Sequence, residues 1–459
     1  MVFARRKTKR IHILYMKRIV GILAGIIIFV TISGFLDEMY VSCSAYSDVW
    51  YPVLWRQFYE NEGTIDNLFL GSSHVYCDID PKRLDRLTGK NNFNLASPGQ
   101  TMNGSYYLLR EADQNNRLSH VYLEMYYALN QEDRQLSEYH YNWNNTDRMK
   151  WSFNKAAYML SIGGTDQYIN ILFPYTRYRN YLGDWDYIQK TMLEKRNTDF
   201  RDYQWGKAWD DGRLLISEKG FCSSTRTFED GYKFYNQWAN LREMSMGEKS
   251  EKYCRKIIEY CRKNEIPITL YVSPLHDLEL ISTQNYDNYV MELRELAAEY
   301  DLTVYDFNLA KEAYLTLQDS GYYRDTGHLN QDGAELFTQF FNQVISAEEA
   351  DRKQYFYDTY QEKLDALAPT VYGTYHIVNG EEMAKREQTE VVWNVASNRD
   401  VGMEYRIILT PDEGEAYMIQ DFQENKKFTI PMNENGICTI VARMKDFPKT
   451  SVQTMEIRY

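Results

Sequence analysis

Two short stretches of the sequence carry residues whose types and positions suit acyl-transfer chemistry. A serine pair, Ser72-Ser73, follows Gly71 at the end of an apolar run. Far downstream, Asp325 and His328 stand three residues apart, just before a run with helical spacing. A serine hydroxyl becomes a nucleophile when a histidine takes its proton and a carboxylate orients that histidine. The order of these residues therefore predicts a triad of Ser73, His328 and Asp325.

The elements that must position these residues alternate between strands and helices. Apolar runs predict strands at 68–70, 93–96, 121–125, 268–273 and 302–306. This alternation is typical of a parallel sheet with right-handed crossovers, so we expect a three-layer α/β/α domain over 64–348. Open α/β sheets bind ligands at the carboxyl ends of their strands, which is where Gly71-Ser72-Ser73 would lie.

Two regions depart from this alternation. Residues 128–247 are polar, aromatic and irregular, and we interpret them as an insertion that covers the carboxyl edge of the sheet. Beyond a helical connector at 349–367, residues 368–459 contain seven short alternating segments, which predict a small β-sandwich. Arg177 and Arg179 in the insertion could bind an anionic or sugar substrate, although packing within a lid is the simpler interpretation.

The amino-terminal segment differs from the rest of the chain. Residues 1–18 carry seven Lys or Arg and no acid, and residues 19–36 are uncharged and mostly apolar. A bilayer span needs about 20 apolar residues, with roughly 17 as the lower limit, so 19–36 can cross a membrane. Its end is a poor cleavage site, which favours an uncleaved anchor. The positive-inside rule then puts 1–18 in the cytoplasm and 37–459 outside, with 37–63 as a juxtamembrane linker.

Charge and cysteine content argue against two classes of function. Removing the seven tail residues from 52 basic residues leaves 45 against 65 acidic ones, a net charge near −20 for the exported part. Nucleic-acid binding needs a basic surface, so we expect no nucleic-acid partner. The six cysteines form no Cys-x-x-Cys pair and no Cys/His cluster, so we expect no metal site and no other cofactor.

The motif order resembles a known family. The resemblance rests on Gly71-Ser72-Ser73 after the first strand, Gly99 after the second, and Asp325-x-x-His328 before the last helix. These motifs are similar to those of the SGNH (GDSL-like) hydrolase superfamily, and most of all to the DltD-like membrane-anchored surface proteins. The resemblance covers roughly 64–130 and 250–346. It implies that Ser73 is the nucleophile and that a polytopic membrane O-acyltransferase is a partner.

The resemblance also implies an oxyanion hole with one feature missing. In that family an asparagine after the third strand helps to bind the oxyanion, within a Gly-x-Asn-Asp block that this chain lacks. The backbone N–H groups of Ser73 and Gly99 remain, and Tyr126, Tyr127 or Asn130 could replace the missing donor. One such donor is typically worth about 100–1000-fold in turnover, so its loss would slow the reaction without abolishing it.

Two further histidines are candidates for substrate contact. His74 directly follows Ser73, and His276 with Asp277 ends a predicted strand at the same edge. A structural hydrogen bond explains His74 equally well. Capping of a turn is the simpler interpretation for His276 and Asp277.

The sequence supports two hypotheses. The first is a membrane-anchored extracytoplasmic serine esterase or O-acyltransferase that acts on acyl esters of cell-envelope polysaccharide or teichoic acid. The second is a non-catalytic surface protein that uses the same scaffold to bind glycan or to organise a membrane acyltransferase complex. The missing asparagine block and the aromatic insertion favour the second hypothesis, whereas Asp325-x-x-His328 favours the first.

Overall fold

The structure is a computed structural model, and it divides the chain into two compact units. The first unit comprises Met1–Trp55 and Leu136–Gln204, and the second comprises Arg56–Gln135 and Trp205–Tyr459. The described residues are 2–41, 50–126, 139–162, 168–197, 208–209, 214–227, 243–317, 320–367, 371–376, 390–397, 402–431, 435–446 and 452–458.

The first unit is built on one long helix, α1 (Val2–Tyr40). Its segment Met16–Tyr40 is long and apolar enough to cross a membrane, since it contains 18 consecutive residues with a mean hydropathy of 2.7. The predicted apolar helix is therefore present, and it continues past residue 36. The orientation of this helix in a membrane stays a prediction.

Shorter helices complete the first unit. They are the start of α2 (Trp50–Glu60), followed by α6 (Tyr139–Arg148), α7 (Phe153–Ile162), α8 (Tyr168–Leu172), a 3-10 segment (Pro174–Tyr181) and α9 (Trp185–Asn197). Tyr40, Tyr178 and Ile188 form a small buried cluster that packs α9 and the 3-10 segment against the end of α1. Residues 136–204 of the predicted insertion thus form a compact unit with α1.

The second unit contains a five-stranded parallel sheet. The strands of the unit up to residue 306 are β1 (Asn67–Leu70), β2 (Asn92–Asn94), β3 (His120–Glu124), β4 (Ala208–Trp209), β5 (Leu214–Ile216), β6 (Cys222–Ser224), β7 (Ile268–Val272) and β8 (Val304–Asp306). The parallel sheet has the order β2-β1-β3-β7-β8, while β4, β5 and β6 form a separate small sheet. From β1 the chain adds β2 on one side and then crosses to add β3 on the other side. Ligands of open α/β sheets bind at the point where the order of strands changes side in this way.

Helices connect and cover the strands of this sheet. They are α3 (Ser73–Asp78), α4 (Pro81–Thr88), α5 (Met102–Asn115), α10 (Glu248–Lys263), α11 (Asp277–Ser282), α12 (Tyr286–Ala298) and α13 (Gln331–Ser346), and two short helices follow, α14 (Glu349–Arg352) and α15 (Tyr360–Ala366). The predicted connector at 349–367 thus consists of α14, a 3-10 turn and α15.

Successive residues of each strand point to opposite faces of the sheet, and helices cover both faces. Phe69 and Tyr122 are neighbours in register on β1 and β3, and their rings stack at 4.5 Å. Phe341 of α13 packs edge-on against Tyr122 at 5.4 Å, so α13 covers this face. Alternate residues such as Leu68 and Leu123 point the other way and are fully buried, on the face where α5 and α10 pack together. The expected parallel α/β sheet is confirmed.

The carboxyl-terminal part of the second unit is antiparallel. Its strands are β9 (Val371–His376), β10 (Glu390–Ser397), β11 (Met403–Pro411), β12 (Tyr417–Gln423), β13 (Lys427–Pro431), β14 (Gly436–Met444) and β15 (Gln453–Arg458). They form two sheets, β13-β10-β9 and β12-β11-β14-β15. One hydrophobic cluster joins the sheets, with Trp393 and Phe428 from the first and Tyr405, Ile407 and Ile440 from the second. Each of the seven predicted segments overlaps one of these strands, and the ends differ by no more than two residues.

Candidate active site

Ser73 lies at a sharp turn between β1 and α3. Gly71 directly follows the strand and has φ of +153°, a conformation that essentially only glycine adopts. A Cβ atom at Gly71 would stand 2.6 Å from Val75 Cγ2 and 2.8 Å from Glu124 Cβ. Glycine therefore lets α3 start directly against β3, and Ser73 becomes the first residue of that helix.

Ser73, His328 and Asp325 form a continuous hydrogen-bonded chain. Ser73 Oγ lies 2.7 Å from His328 Nε2, and His328 Nδ1 lies 2.8 Å from Asp325 Oδ1. Ser73 is half-buried, and the side chains of His328 and Asp325 are 19% and 15% exposed. Ser73 and His328, which are 255 positions apart in the chain, thus meet at an edge that solvent can reach.

The environment of Asp325 keeps its carboxylate ionised. Burial alone would raise its pKa, but the His328 ring, the Arg324 guanidinium and the Gly327 N–H together hold the pKa well below the usual range. Gly327 N donates to Asp325 Oδ1 at 2.9 Å, and Arg324 Nε donates to Oδ2 at 3.2 Å. An ionised Asp325 accepts from His328 Nδ1–H, which leaves Nε2 as the acceptor for the hydroxyl of Ser73.

Two hydrogen bonds with residues at the start of α11 hold the Asp325–His328 turn in place. His276 N donates to Thr326 O at 3.0 Å, and Thr326 Oγ1 donates to Glu279 Oε2 at 3.0 Å. Both His276 and Glu279 belong to the start of α11, so this helix supports the turn. Sequence reasoning missed Glu279, because nothing in the local pattern connects it to a turn 47 residues away.

Asp78 ties the nucleophile helix to the histidine. It is the last residue of α3, and its Oδ1 accepts from Leu329 N at 3.1 Å. Burial raises the pKa of Asp78 well above its usual value. One short helix therefore carries Ser73 at its start and holds the residue after His328 at its end. The sequence contains no signal that would have identified Asp78.

His74 and His276 lie close to the triad in supporting positions. The His74 ring meets the His328 ring edge-on at 5.2 Å and is buried. His276 is 3% exposed, and its Nδ1 accepts from Leu278 N at 3.1 Å, which caps α11. Burial lowers the pKa of His276 to about 4, although the charge of Asp325 opposes that shift. Asp277 is buried next to it, and burial raises its pKa.

The candidate oxyanion donors include two backbone N–H groups, those of Ser73 and Gly99. The N–H of Ser73 is at the first position of α3, where a helix offers no carbonyl partner. Gly99 adopts φ of +56° in a turn closed by Gln100 N donating to Ser97 O at 3.1 Å. Asn130 and Tyr127 lie outside the described residues.

Two other candidate groups are engaged elsewhere. The buried Tyr126 hydroxyl lies 3.4 Å from Thr283 Oγ1. In the first unit, Arg177 Nη2 donates to both carboxylate oxygens of Asp147, at 2.8 and 2.7 Å, which agrees with a packing role.

The described part of the chain contains no cluster of potential metal ligands and no disulfide. No group of three His, Cys, Asp or Glu among those residues is placed to hold a metal ion. The described cysteines are buried thiols rather than disulfides, at positions Cys77, Cys222, Cys254, Cys261 and Cys438. Cys43 lies outside the described residues.

The chain matches no protein-family model, and no curated protein matches it in sequence. The resemblance to SGNH hydrolases stays a prediction made from motifs. The functional proposal depends on the arrangement of Ser73, His328 and Asp325.

Proposed function

We propose that the protein is a serine esterase or O-acyltransferase of the SGNH type, anchored to the membrane by α1. The observation that carries the proposal is the pair of hydrogen bonds from Ser73 to His328 and from His328 to Asp325. A serine bonded to an imidazole that is itself bonded to a carboxylate is the arrangement that activates a serine hydroxyl.

The proposed reaction begins with acylation of Ser73. Its Oγ attacks the carbonyl carbon of an acyl ester, while His328 Nε2 takes the hydroxyl proton. Asp325 stabilises the imidazolium that forms. The tetrahedral intermediate then collapses, the alcohol leaves with the proton from His328, and an acyl-serine ester remains.

The second half of the reaction regenerates the enzyme. Water or an acceptor hydroxyl gives a proton to His328 and attacks the acyl carbonyl, and Ser73 Oγ then leaves with the proton that His328 returns. The backbone N–H groups of Ser73 and Gly99 are the proposed donors to the oxyanion in both halves. Each such donor acts because it points at charge that develops only in the transition state.

The substrate class follows from the proposed location. An anchor whose basic tail stays in the cytoplasm puts the triad on the outer side of the membrane, where acylated polysaccharide and teichoic acid are found. The acyl donor would then come from a polytopic membrane O-acyltransferase. Supplying a purified acceptor polymer would distinguish transfer from hydrolysis, because only a transferase yields an acylated polymer.

A fluorophosphonate probe on the full chain in membranes tests the catalytic proposal. We expect the probe to label Ser73, Ser73→Ala to abolish labelling, and His328→Ala to slow it strongly. His120→Gln is the matched control, because His120 lies on the same sheet at the start of β3 and its Nε2 bonds to Thr269 Oγ1 at 2.8 Å. An unlabelled Ser73, or labelling that His328→Ala leaves unchanged, would instead support the non-catalytic scaffold.

A further inference from the structure

The helices α7 and α8 of the first unit present an exposed apolar surface. Its side chains are Trp151, Phe153, Leu160, Ile169 and Leu172. Phe153 is 96% exposed and Ile169 is 63% exposed. Both fractions exceed the 52% of Ile26 in the apolar helix α1. Exposed apolar side chains grouped on two helices that contact each other indicate an interaction partner.

A direct contact joins this surface to the apolar part of α1. The ring of Phe173, which follows α8, meets the ring of Phe29 edge-on at 5.3 Å. Phe29 stands seven residues before Leu36, a distance of about 10 Å along a helix axis. If 19–36 cross the hydrocarbon, the Phe173 ring lies well inside it.

The chain next to α8 marks where the hydrocarbon would end. Tyr175 N donates to Asp37 Oδ1 at 2.9 Å, so Tyr175 lies level with the first charged residue after the apolar run. Two residues earlier, Phe173 reaches down to Phe29. Phe173 N also donates to Ile169 O at 2.9 Å, which puts Ile169 one helical turn away on the same side of α8.

The charge pattern fits lipid contact. Between Ala156 and Tyr175 the sequence has a single charged residue, Asp166. At the edge of the surface, Lys155 Nζ lies 4.5 Å over the ring of the exposed Trp151 and donates to Met149 O. Tryptophan and lysine are typical of the boundary between hydrocarbon and water.

We propose that the apolar surface of α7 and α8 lies in the bilayer, in the leaflet from which the Asp37 end of α1 emerges. The protein would then be held by two elements, a spanning helix and a pair of interfacial helices beside it. Lipid is the proposed occupant because the surface is continuous with the exposed apolar side of α1 around Phe29. The inference rests on α1 crossing the membrane, as proposed above.

Spin-label accessibility on the full chain in lipid nanodiscs tests this inference. A nitroxide is attached at Ile169→Cys in a chain with Cys43→Ser, because the other five cysteines are buried. Labels at Ile26→Cys and Met418→Cys are the lipid and water references, and both positions are exposed. The readout is the ratio of collisions with oxygen to collisions with a water-soluble nickel chelate. We expect the ratio at Ile169 to exceed that at Met418 several-fold and to be no higher than that at Ile26, which lies near the middle of the apolar run 19–36.

Three other outcomes would overturn the inference, each for a different reason. A ratio like that of Met418, with Ile26 still lipid-like, would put the surface in water and leave the span intact. Low collision rates with both reagents would mean that a second copy or another protein covers the surface. A water-like Ile26 would refute the span itself. A label at Phe153→Cys repeats the measurement on α7, at a side chain so exposed that its replacement removes little packing.

Discussion

Two histidines at the same edge of the parallel sheet have opposite environments. His328 is 19% exposed, and its two ring nitrogens contact Ser73 and Asp325. His276 is 3% exposed, and its Nδ1 accepts a backbone N–H at the start of α11. His276 follows the end of β7 and His328 precedes α13, and each has an aspartate within three residues, so residue type and a neighbouring carboxylate do not separate them.

Exposure and hydrogen-bond partners determine which histidine can act as a base. A buried imidazole that accepts from a helix N–H is kept neutral, because burial disfavours the charged form. An imidazole between a serine and an ionised carboxylate can accept a proton, because the carboxylate stabilises the cation that results. His276 supports the turn that carries His328, so the structural histidine helps to position the reactive one.

The largest expected effect is the difference in the rate of Ser73 acylation between variants of the two histidines. We predict that His328→Ala slows acylation of Ser73 by about 100–10,000-fold, the usual worth of a general base. His276→Asn should slow acylation far less, because an asparagine side chain also accepts a hydrogen bond at a helix N-cap. The measurement is the rate of fluorophosphonate labelling at fixed pH. Equal losses in the two variants would mean that the contrast between the histidines is incorrect.

Replacing Gly71 tests whether the turn before Ser73 needs glycine. We predict that Gly71→Ala destabilises the fold through two effects of about 1–3 kcal/mol each, backbone strain at φ +153° and crowding against Val75 and Glu124. Gly89→Ala is the control, since it has φ of +67° but no atom within 4 Å of the added carbon, and should cost only about 1–2 kcal/mol. Urea titration in detergent measures both. A smaller loss at Gly71 than at Gly89 would contradict the predicted crowding.

The pH dependence of stability should reveal His276. Its folded pKa of about 4 lies below the ordinary histidine value of 6.5, so the unfolded chain binds more protons between these two pH values. The neutral His276 ring therefore contributes its full share to the free energy of unfolding above pH 6.5, and this contribution is lost as the pH falls towards 4. The full loss is about 3 kcal/mol.

His276→Asn should remove that part of the pH dependence. His120 is half-buried and also has a pKa lowered to about 4 by burial, so some loss below pH 6.5 will remain in the variant. Free energies of unfolding at pH 7 and pH 4.5 measure the slope for both chains. An unchanged slope would show that His276 is accessible to protons in the folded state.

Local signals predicted the elements of the site, and tertiary contacts decided the rest. The apolar run before Gly71 and the Asp-x-x-His spacing are short-range patterns, and they identified Ser73, Asp325 and His328. The link between Asp78 and Leu329 joins residues 251 positions apart, so no window along the chain could reveal it. Burial of His276 likewise depends on α11 packing beneath the Asp325–His328 turn.

The smallest expected effect concerns the serine beside the nucleophile. Ser72 is fully buried, and in the described part of the chain its Oγ makes no hydrogen bond, even at the N-cap position of α3. A buried hydroxyl without a partner costs about 1–3 kcal/mol, so Ser72→Ala should leave stability unchanged or raise it slightly. Fluorophosphonate labelling of Ser73 should continue at the wild-type rate. If Ser72→Ala instead slowed labelling as much as Ser73→Ala, the nucleophile would have to be reassigned, because the two serines share a turn but only Ser73 contacts His328.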